Sequence, residues 1–337
     1  MRDIISELEK KIEKKRVLII GDVMIDAYLF GTVDRISPEA PVPIVNLLKR
    51  NNRLGGAANV ALNIQSLGAI PVLCSVIGSD DKGKEFLQML KDNNLSTEGM
   101  MLSENRITTT KFRIIGNNAQ LLRVDEEDDS SLSADDNLNL LNHIINILDH
   151  KKVDSIIFED YDKGVLSMDL IEKIIQKANL LKIPVTVDPK KRNFNAYSHC
   201  TIFKPNLKEL KEGTKADIDY SNIDAISNLI EKYIDQHNIK IALITLSEKG
   251  VLIVWKESDN AYQHKLIPAH FRNIVDVSGA GDTVISVVTL CNAIGLSHIQ
   301  MAAIANLAGG LVCEEVGVIP ISKEKLLNEI VRLKLIN

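Results

Sequence analysis

The sequence predicts an α/β fold: a mostly parallel central sheet with helices on both faces and a small β lid. Three observations carry this expectation. Short, continuous apolar runs recur along the chain, as in strands buried on both faces. Helical patterns lie between many of these runs, the order that builds a parallel sheet. Two stretches break the rhythm with strand-like residues and no adjacent helix.

From the N-terminus, residues 1–15 place Ile4, Ile5, Leu8 and Ile12 at helical spacing among charges and lack the apolar core of a signal peptide. Val17-Leu18-Ile19-Ile20 reads as the first strand, closed by Gly21-Asp22. Similar runs at 72–77, 155–158, 185–187 and 241–244 read as further strands. Helical patterns cover 57–67, stopped by Gly68, then 84–90, 138–148 and 170–181. In such folds ligands bind beyond the C-terminal ends of strands, and Asp22, Asp160, Asp188, Asn206 and Thr245 stand at such ends.

The two irregular stretches are residues 28–52, with Pro38, Pro41 and Pro43 ahead of Ile44-Val45-Asn46-Leu47-Leu48, and residues 108–124, a hairpin turning at Gly116-Asn117-Asn118. They are expected to form a lid at about 28–52 and 108–124 on one domain spanning residues 1–337.

Composition narrows the function class. The 337 residues are 45% hydrophobic and 25% charged, which suits a soluble globular protein. With 40 basic and 45 acidic residues well mixed, a net charge of −5 and no long basic run, nucleic acid is excluded as an expected partner. Cys74, Cys200, Cys291 and Cys313 have no metal-ligand spacing, so free thiols in a reducing cytoplasm are the simple reading. No apolar run approaches the ~20 residues of a spanning helix, so no membrane partner is expected.

The chemistry concentrates in Asp276-Val277-Ser278-Gly279-Ala280-Gly281-Asp282-Thr283-Val284. An apolar, β-compatible stretch, Asn273-Ile274-Val275, precedes it, and a run without Gly or Pro follows to Gly295. The Gly-Ala-Gly step therefore falls where a loop becomes a helix. Small residues there let backbone N–H groups approach an anion, and a helix's first turn has N–H groups to spare. Asp282 would repel a resting phosphate, so its presence suits a general base that takes a proton from an attacking hydroxyl. The competing reading is a glycine-rich turn capped by an acid.

Other candidates read as follows. Asp26, in Asp22-Val23-Met24-Ile25-Asp26, is an acid near a strand end, suited to sugar hydroxyls or to solvent. Gly55 and Gly56 allow backbone contact with a polar ligand at a helix start, and Asn59 can donate and accept. Residues 78–85 fall one residue short of a P-loop, because Glu85 stands where Ser or Thr must hold magnesium and Asp80 and Asp81 repel phosphate. Asn206 and Glu209 are spaced as a helix-capping pair. Lys111 and Arg113 share one strand face, Arg123 lies on the paired strand and Arg35 on the other lid segment, a cluster suited to a phosphate.

The stretch 276–283 resembles the C-terminal signature of ribokinase-like (PfkB-type) sugar kinases, with Ser278 where Thr is common. The resemblance runs along nearly the whole chain. It is strongest to the D-glycero-β-D-manno-heptose 7-phosphate kinase branch, through Arg35-Ile36-Ser37-Pro38-Glu39-Ala40-Pro41-Val42-Pro43, Leu54-Gly55-Gly56-Ala57-Ala58-Asn59-Val60-Ala61, Thr110-Lys111-Phe112-Arg113, Gln120-Leu121-Leu122-Arg123, Asp160-Tyr161-Asp162-Lys163-Gly164 and Asp188-Pro189-Lys190. It implies a ribokinase-like fold and ATP-dependent phosphorylation of the anomeric hydroxyl of heptose 7-phosphate, in ADP-heptose and lipopolysaccharide precursor synthesis. The alternatives are another ribokinase-like sugar or nucleoside kinase, or a non-catalytic sugar-phosphate sensor.

By the same resemblance Asp282 is the base, and Gly279, Ala280 and Gly281 form the anion hole. Asp26, Gly55, Gly56 and Asn59 meet the sugar. Asn206, Leu207, Lys208, Glu209, Thr245, Ser247, Gly250 and Asn306 border the nucleotide, with Glu209 holding Mg2+ through water. Asp276 and Ser278 hold K+, and the Gly317 region supplies carbonyls. Leu246 departs from the Arg expected beside Thr245. A homodimer through the lid is implied. Some members of that branch carry a C-terminal nucleotidyltransferase, which is not expected in a chain ending at Asn337.

Overall fold

The computed structural model describes the backbone of residues 2–336 except 118, 258 and 271, and side chains from residue 6 onward. Helix α1 (Arg2–Ile12) leads into β1 (Arg16–Gly21), whose apolar residues are buried on both faces. β1 lies inside a nine-stranded sheet, between β4 (Ile70–Gly78) and β8 (Ser155–Glu159). Beyond β4 is β5 (Met100–Ser103). Beyond β8 follow β9 (Val185–Asp188), β10 (Ile202–Phe203), β11 (Ile241–Thr245), β12 (Val251–Lys256) and β13 (Tyr262–Ile267). Pairing is parallel up to β11 and antiparallel for β12 and β13. No described helix is long and apolar enough to cross a membrane.

Alternation within the strands divides the core. Val17 and Ile19 join one apolar cluster, Leu18 and Ile20 the other, because successive side chains leave a strand on opposite faces. The first face is covered by α2 (Ala57–Ser66), α8 (Ala280–Ala293), α9 (His298–Val312) and α10 (Lys323–Arg332), with Phe86 and Leu90 of α3 (Asp81–Asp92). The second is covered by α4 (Ala134–His150), α5 (Met168–Leu180) and α7 (Ile223–His237), with Leu210 of α6 (Leu207–Thr214). α5 turns Leu170, Ile171, Ile174 and Ile175 inward, and burial of each contributes about 1.5–3 kcal/mol. The four cysteines are buried and free.

The lid is a separate four-stranded sheet in the order β3-β2-β6-β7. β2 (Val23–Ile36) and β3 (Pro43–Gly56) form a long hairpin, and β6 (Thr110–Gly116) and β7 (Ala119–Glu126) a second. β2 starts one residue after β1, and β3 runs directly into α2. β2 and β3 therefore reach further than the expected 28–52, while β6 and β7 begin two residues later and end two residues later than the expected 108–124. The inner ends of β2 and β3, from Val23 to Tyr28 and from Leu54 to Gly56, are buried roots that continue the main domain. In the expected turn, Asn117 has a left-handed φ of 52°, while Asn118 lies outside the described residues. Residues 2–5 fall within α1, but the side chains of Ile4 and Ile5 lie outside the description.

One expectation is corrected. Asn273-Ile274-Val275 forms no strand. The N–H groups of Val275 and Asp276 donate to the Cys313 carbonyl just past α9, so these hydrogen bonds go to a helix end and not to a strand.

Candidate active site

α8 begins where the small residues predicted. Gly279 is its N-cap, with φ +79°, a conformation that favours glycine. Ala280 donates back to the Val277 carbonyl at 3.3 Å. Gly281 and Asp282, in the first turn, have N–H groups with no partner inside the helix. The side chain of Asp282 is 4% exposed. Its Oδ2 accepts from Asn59 Nδ2 and its Oδ1 from the Tyr161 hydroxyl, both at 2.7 Å. Burial, assisted by the nearby Asp188 carboxylate, pushes the Asp282 carboxyl up to about 6, against the pull of its two donors and of Lys204.

Asp188 and Lys204 stand at the ends of β9 and β10 and form a buried ion pair at 2.7 Å, with Lys204 2% exposed. Burial opposes the Lys204 charge, but Asp188, Glu209 and Glu159 together outweigh it and hold the ammonium above its ordinary range. Glu159 faces Asp188 across β8 and β9 and is driven well above the usual carboxylate range by burial and by Asp188 and Asp282. Lys190 pairs with Glu209 and lies 5.3 Å above the Tyr161 ring.

Tyr161, Asp188, Lys190, Lys204 and Glu209 open onto one cavity of about 800 Å³, while Glu159 stays buried behind it. Its wall includes Gly279, Ala280, Gly281 and Asp282 from α8. Asn206 and Glu209 also face it, joined in a capping box at the start of α6. Thr245, Ser247, Gly250 and Asn306 line a further part of the wall, and Asn306 donates to the Pro268 carbonyl at 2.9 Å. Leu207 packs against the second core, and the exposed Lys208 leans toward Glu212, so neither lines this cavity. Leu246 is buried in the same core. An apolar residue there is a packing choice, and its side chain has no route to the cavity.

The lid-side candidates reach Asp282 through Asn59, which is fully buried at the start of α2. Gly55 lies against Asp26: a Cβ on Gly55 would stand 2.3 Å from the Asp26 carboxylate. Asp26 is ion-paired with Arg113, whose guanidinium lies over the Tyr28 ring at 5.2 Å. The other cations are spread more widely than a single phosphate site requires. Lys111 pairs with Glu127 and Asp125 at 3.4 and 3.7 Å. Arg123 pairs with Asp125 and is 53% exposed, and Arg35 is exposed on β2.

Asp276 accepts from the N–H groups of Ser278 and Gly317, at 2.9 and 2.8 Å. Burial alone would raise its carboxyl, but those bonds outweigh it and hold the group below the usual range. Arg53 donates to the Val316 and Val318 carbonyls at 3.1 Å, so carbonyls expected from this region are already engaged. Asp80 of the P-loop-like segment accepts from Gly83 N–H at 2.6 Å, which makes it an N-cap for α3.

Sequence reasoning missed Lys204 and the role of Tyr161. Both had a signal: each follows an apolar strand at its C-terminal end, where ligands gather in such sheets. Asp22 stands at a strand end, where ligands were expected. Instead its buried carboxylate accepts from the N–H groups of Tyr161, Lys163 and Val165, at 2.8, 3.1 and 3.1 Å.

The model of the pfkB family of carbohydrate kinases matches residues 14–325. The bifunctional protein HldE of Helicobacter pylori strain J99 is 38% identical over 305 residues, 90% of this chain and 64% of the relative. HldE of Methylobacillus flagellatus is 39% identical over 318 residues, 93% of this chain and 63% of its own. The chain thus spans somewhat under two thirds of these relatives. Among solved structures, phosphofructokinase-2 from Escherichia coli in complex with fructose-6-phosphate superposes with a TM-score of 0.75 at 17% identity, covering 95% of this chain and 99% of that one. Arabidopsis thaliana ribokinase complexed with ribose and ATP gives 0.68 at 18% identity, covering 93% and 99%. The fold is therefore ribokinase-like.

Proposed function

The chain belongs to the pfkB family of carbohydrate kinases, and from that membership we propose that it transfers a phosphoryl group from ATP to the anomeric hydroxyl of D-glycero-β-D-manno-heptose 7-phosphate, giving the 1,7-bisphosphate. The observation that carries the chemistry is Asp282, a buried carboxylate raised to about 6 at the N-terminus of a helix and on the wall of a large cavity. A carboxylate with that pKa is ionised at neutral pH yet basic enough to take a proton from a polarised hydroxyl. Asn59 and Tyr161 orient it. The first-turn N–H groups face charge that builds on the transferring phosphoryl group, and Lys204 places a fixed positive charge nearby.

The heptose branch is supported by the motifs in the lid and around the cavity, and by 38% identity to a bifunctional HldE protein. Arg113, beside Asp26 at the root of the lid, is the best placed of the four cations for the substrate's own phosphate. Glu209 would hold magnesium beside the nucleotide, where the ion would supply neutralising charge to the phosphates. Both Glu209 oxygens are anchored, one by Lys190 and one by the Asn206 N–H, which suits contact through water. For potassium, the Asp276 carboxylate and Ser278 offer oxygen donors of the right hardness, but Arg53 holds the Val316 and Val318 carbonyls. The site would therefore rest on Asp276 and Ser278.

The lid also supports a homodimer. Ile36, Leu47, Leu48, Leu122 and Val124 are exposed on its strands, with Leu48 72% exposed. Such a face, with the β3 and β7 edges open, is a liability in a lone molecule and is covered by two-fold pairing.

A product-resolved assay with ATP and a panel of sugars tests the proposal. Heptose 7-phosphate should be phosphorylated at the anomeric oxygen far faster than unphosphorylated hexoses or nucleosides. Efficient turnover of ribose or adenosine, with none of the heptose phosphate, would overturn the substrate assignment.

A further inference from the structure

We propose that Tyr161 is a positioning residue that keeps the Asp282 carboxylate charged and aimed, and that the buried Asp22 acts on the base through it. The inference rests on the kinase reading only for what the base does; the geometry is independent of substrate. Tyr161 is in the loop that leaves β8. Three N–H donations from that loop, by Tyr161, Lys163 and Val165, converge on Asp22, which follows β1. The loop is pinned again at Gly164, where φ is +85° and a Cβ would stand 1.8 Å from the Ser130 carbonyl. Its backbone therefore has little freedom.

From this fixed position the Tyr161 hydroxyl donates to Asp282 Oδ1 at 2.7 Å. One face of the ring is under the Lys190 ammonium, which pairs with Glu209 on the nucleotide side of the cavity. Tyr161 thus touches the base directly and the Glu209 group through a cation. An O–H donated to a carboxylate favours its ionised form. The other charges facing Asp282 are Asp188 on β9, Glu159 on β8 and Lys204 just past β10, with Asn59 on α2 donating to the second oxygen. The two acids oppose ionisation and Lys204 favours it, so removing the Tyr161 donor leaves the acids less opposed.

The test is a direct titration of the Asp282 side-chain carboxyl by carbon NMR on aspartate-labelled protein, its resonance assigned by loss in Asp282→Asn. Tyr161→Phe should move the midpoint up from about 6 by roughly one pH unit. The acid limb of kcat/KM should move with it. Asp22→Asn should shift the midpoint in the same direction, and the double variant should go no further than Tyr161→Phe alone. A Tyr161→Phe midpoint coincident with wild type overturns the inference. So does a uniform loss of activity with no shift. If Asp22→Asn does not fold, Tyr161→Phe still decides the role of the tyrosine. The titration needs no substrate, so a protein inactive on every sugar would count against the kinase reading and leave this measurement valid.

Discussion

Asn59 and Asp282, 223 residues apart in sequence, meet in a buried 2.7 Å hydrogen bond. The contact joins α2, which follows the lid, to α8, and it is one of several: Thr283 also donates to Asn63 Oδ1 at 3.1 Å and Ser286 to the Val60 carbonyl at 3.4 Å.

The role of Asp282 gives the first prediction. Asp282→Asn keeps the volume, and the new amide can still accept from Asn59 while donating to the Tyr161 oxygen. The fold and nucleotide affinity should therefore survive, while kcat falls at least the ~10²-fold typical of general-base removal. In wild type, kcat/KM should decline as pH falls through about 6, because the raised carboxyl then takes up its proton and ceases to be a base. Near wild-type turnover in the variant would remove Asp282 from the mechanism.

Gly55 offers a steric test. Gly55→Ala would place a methyl 2.3 Å from the Asp26 carboxylate and 2.9 Å from the Met24 side chain. Asp26 must then shift and its pairing with Arg113 loosen. The expected outcome is a KM for the sugar raised about tenfold, the equivalent of about 1.4 kcal/mol in uniform binding, with KM for ATP little changed. Steady-state kinetics in both substrates would check it, and an unaltered sugar KM would place the sugar away from Asp26.

Potassium should raise activity. The Asp276 carboxylate is held ionised by the Ser278 and Gly317 N–H groups just ahead of the anion hole. A monovalent cation there would order residues 276–281. The check is to compare rates in potassium and in tetramethylammonium at equal ionic strength, and equal rates would count against the site.

Light scattering at micromolar concentration should report a dimer. Charge substitution at Leu47, exposed on β3, or at the half-buried Ile114 on β6 should shift the mass toward monomer. A monomeric wild-type mass, or a dimer indifferent to both substitutions, would exclude the lid as the interface.

The division between what was legible and what was not follows from range. Apolar periodicity is local, so β1, β4, β8, β9 and β11 and the helices α2 to α5 could be read within a few residues of their ends. The start of α8 at Gly279 to Asp282 could be read because a loop that turns into a helix imposes small residues over a few consecutive positions. Asn273-Ile274-Val275 looked like a strand because its residues suit one, but pairing depends on a neighbour, and the available acceptor was the Cys313 carbonyl. The tertiary structure alone decided that Asp22 holds a loop, that Lys204 is buried against Asp188, that Arg53 engages the Val316 and Val318 carbonyls, and that Tyr161 reaches Asp282. In each case the partner is more than 15 residues away in the chain. A hydrogen bond or ion pair is selected by the distance between groups in space, which sequence spacing does not record.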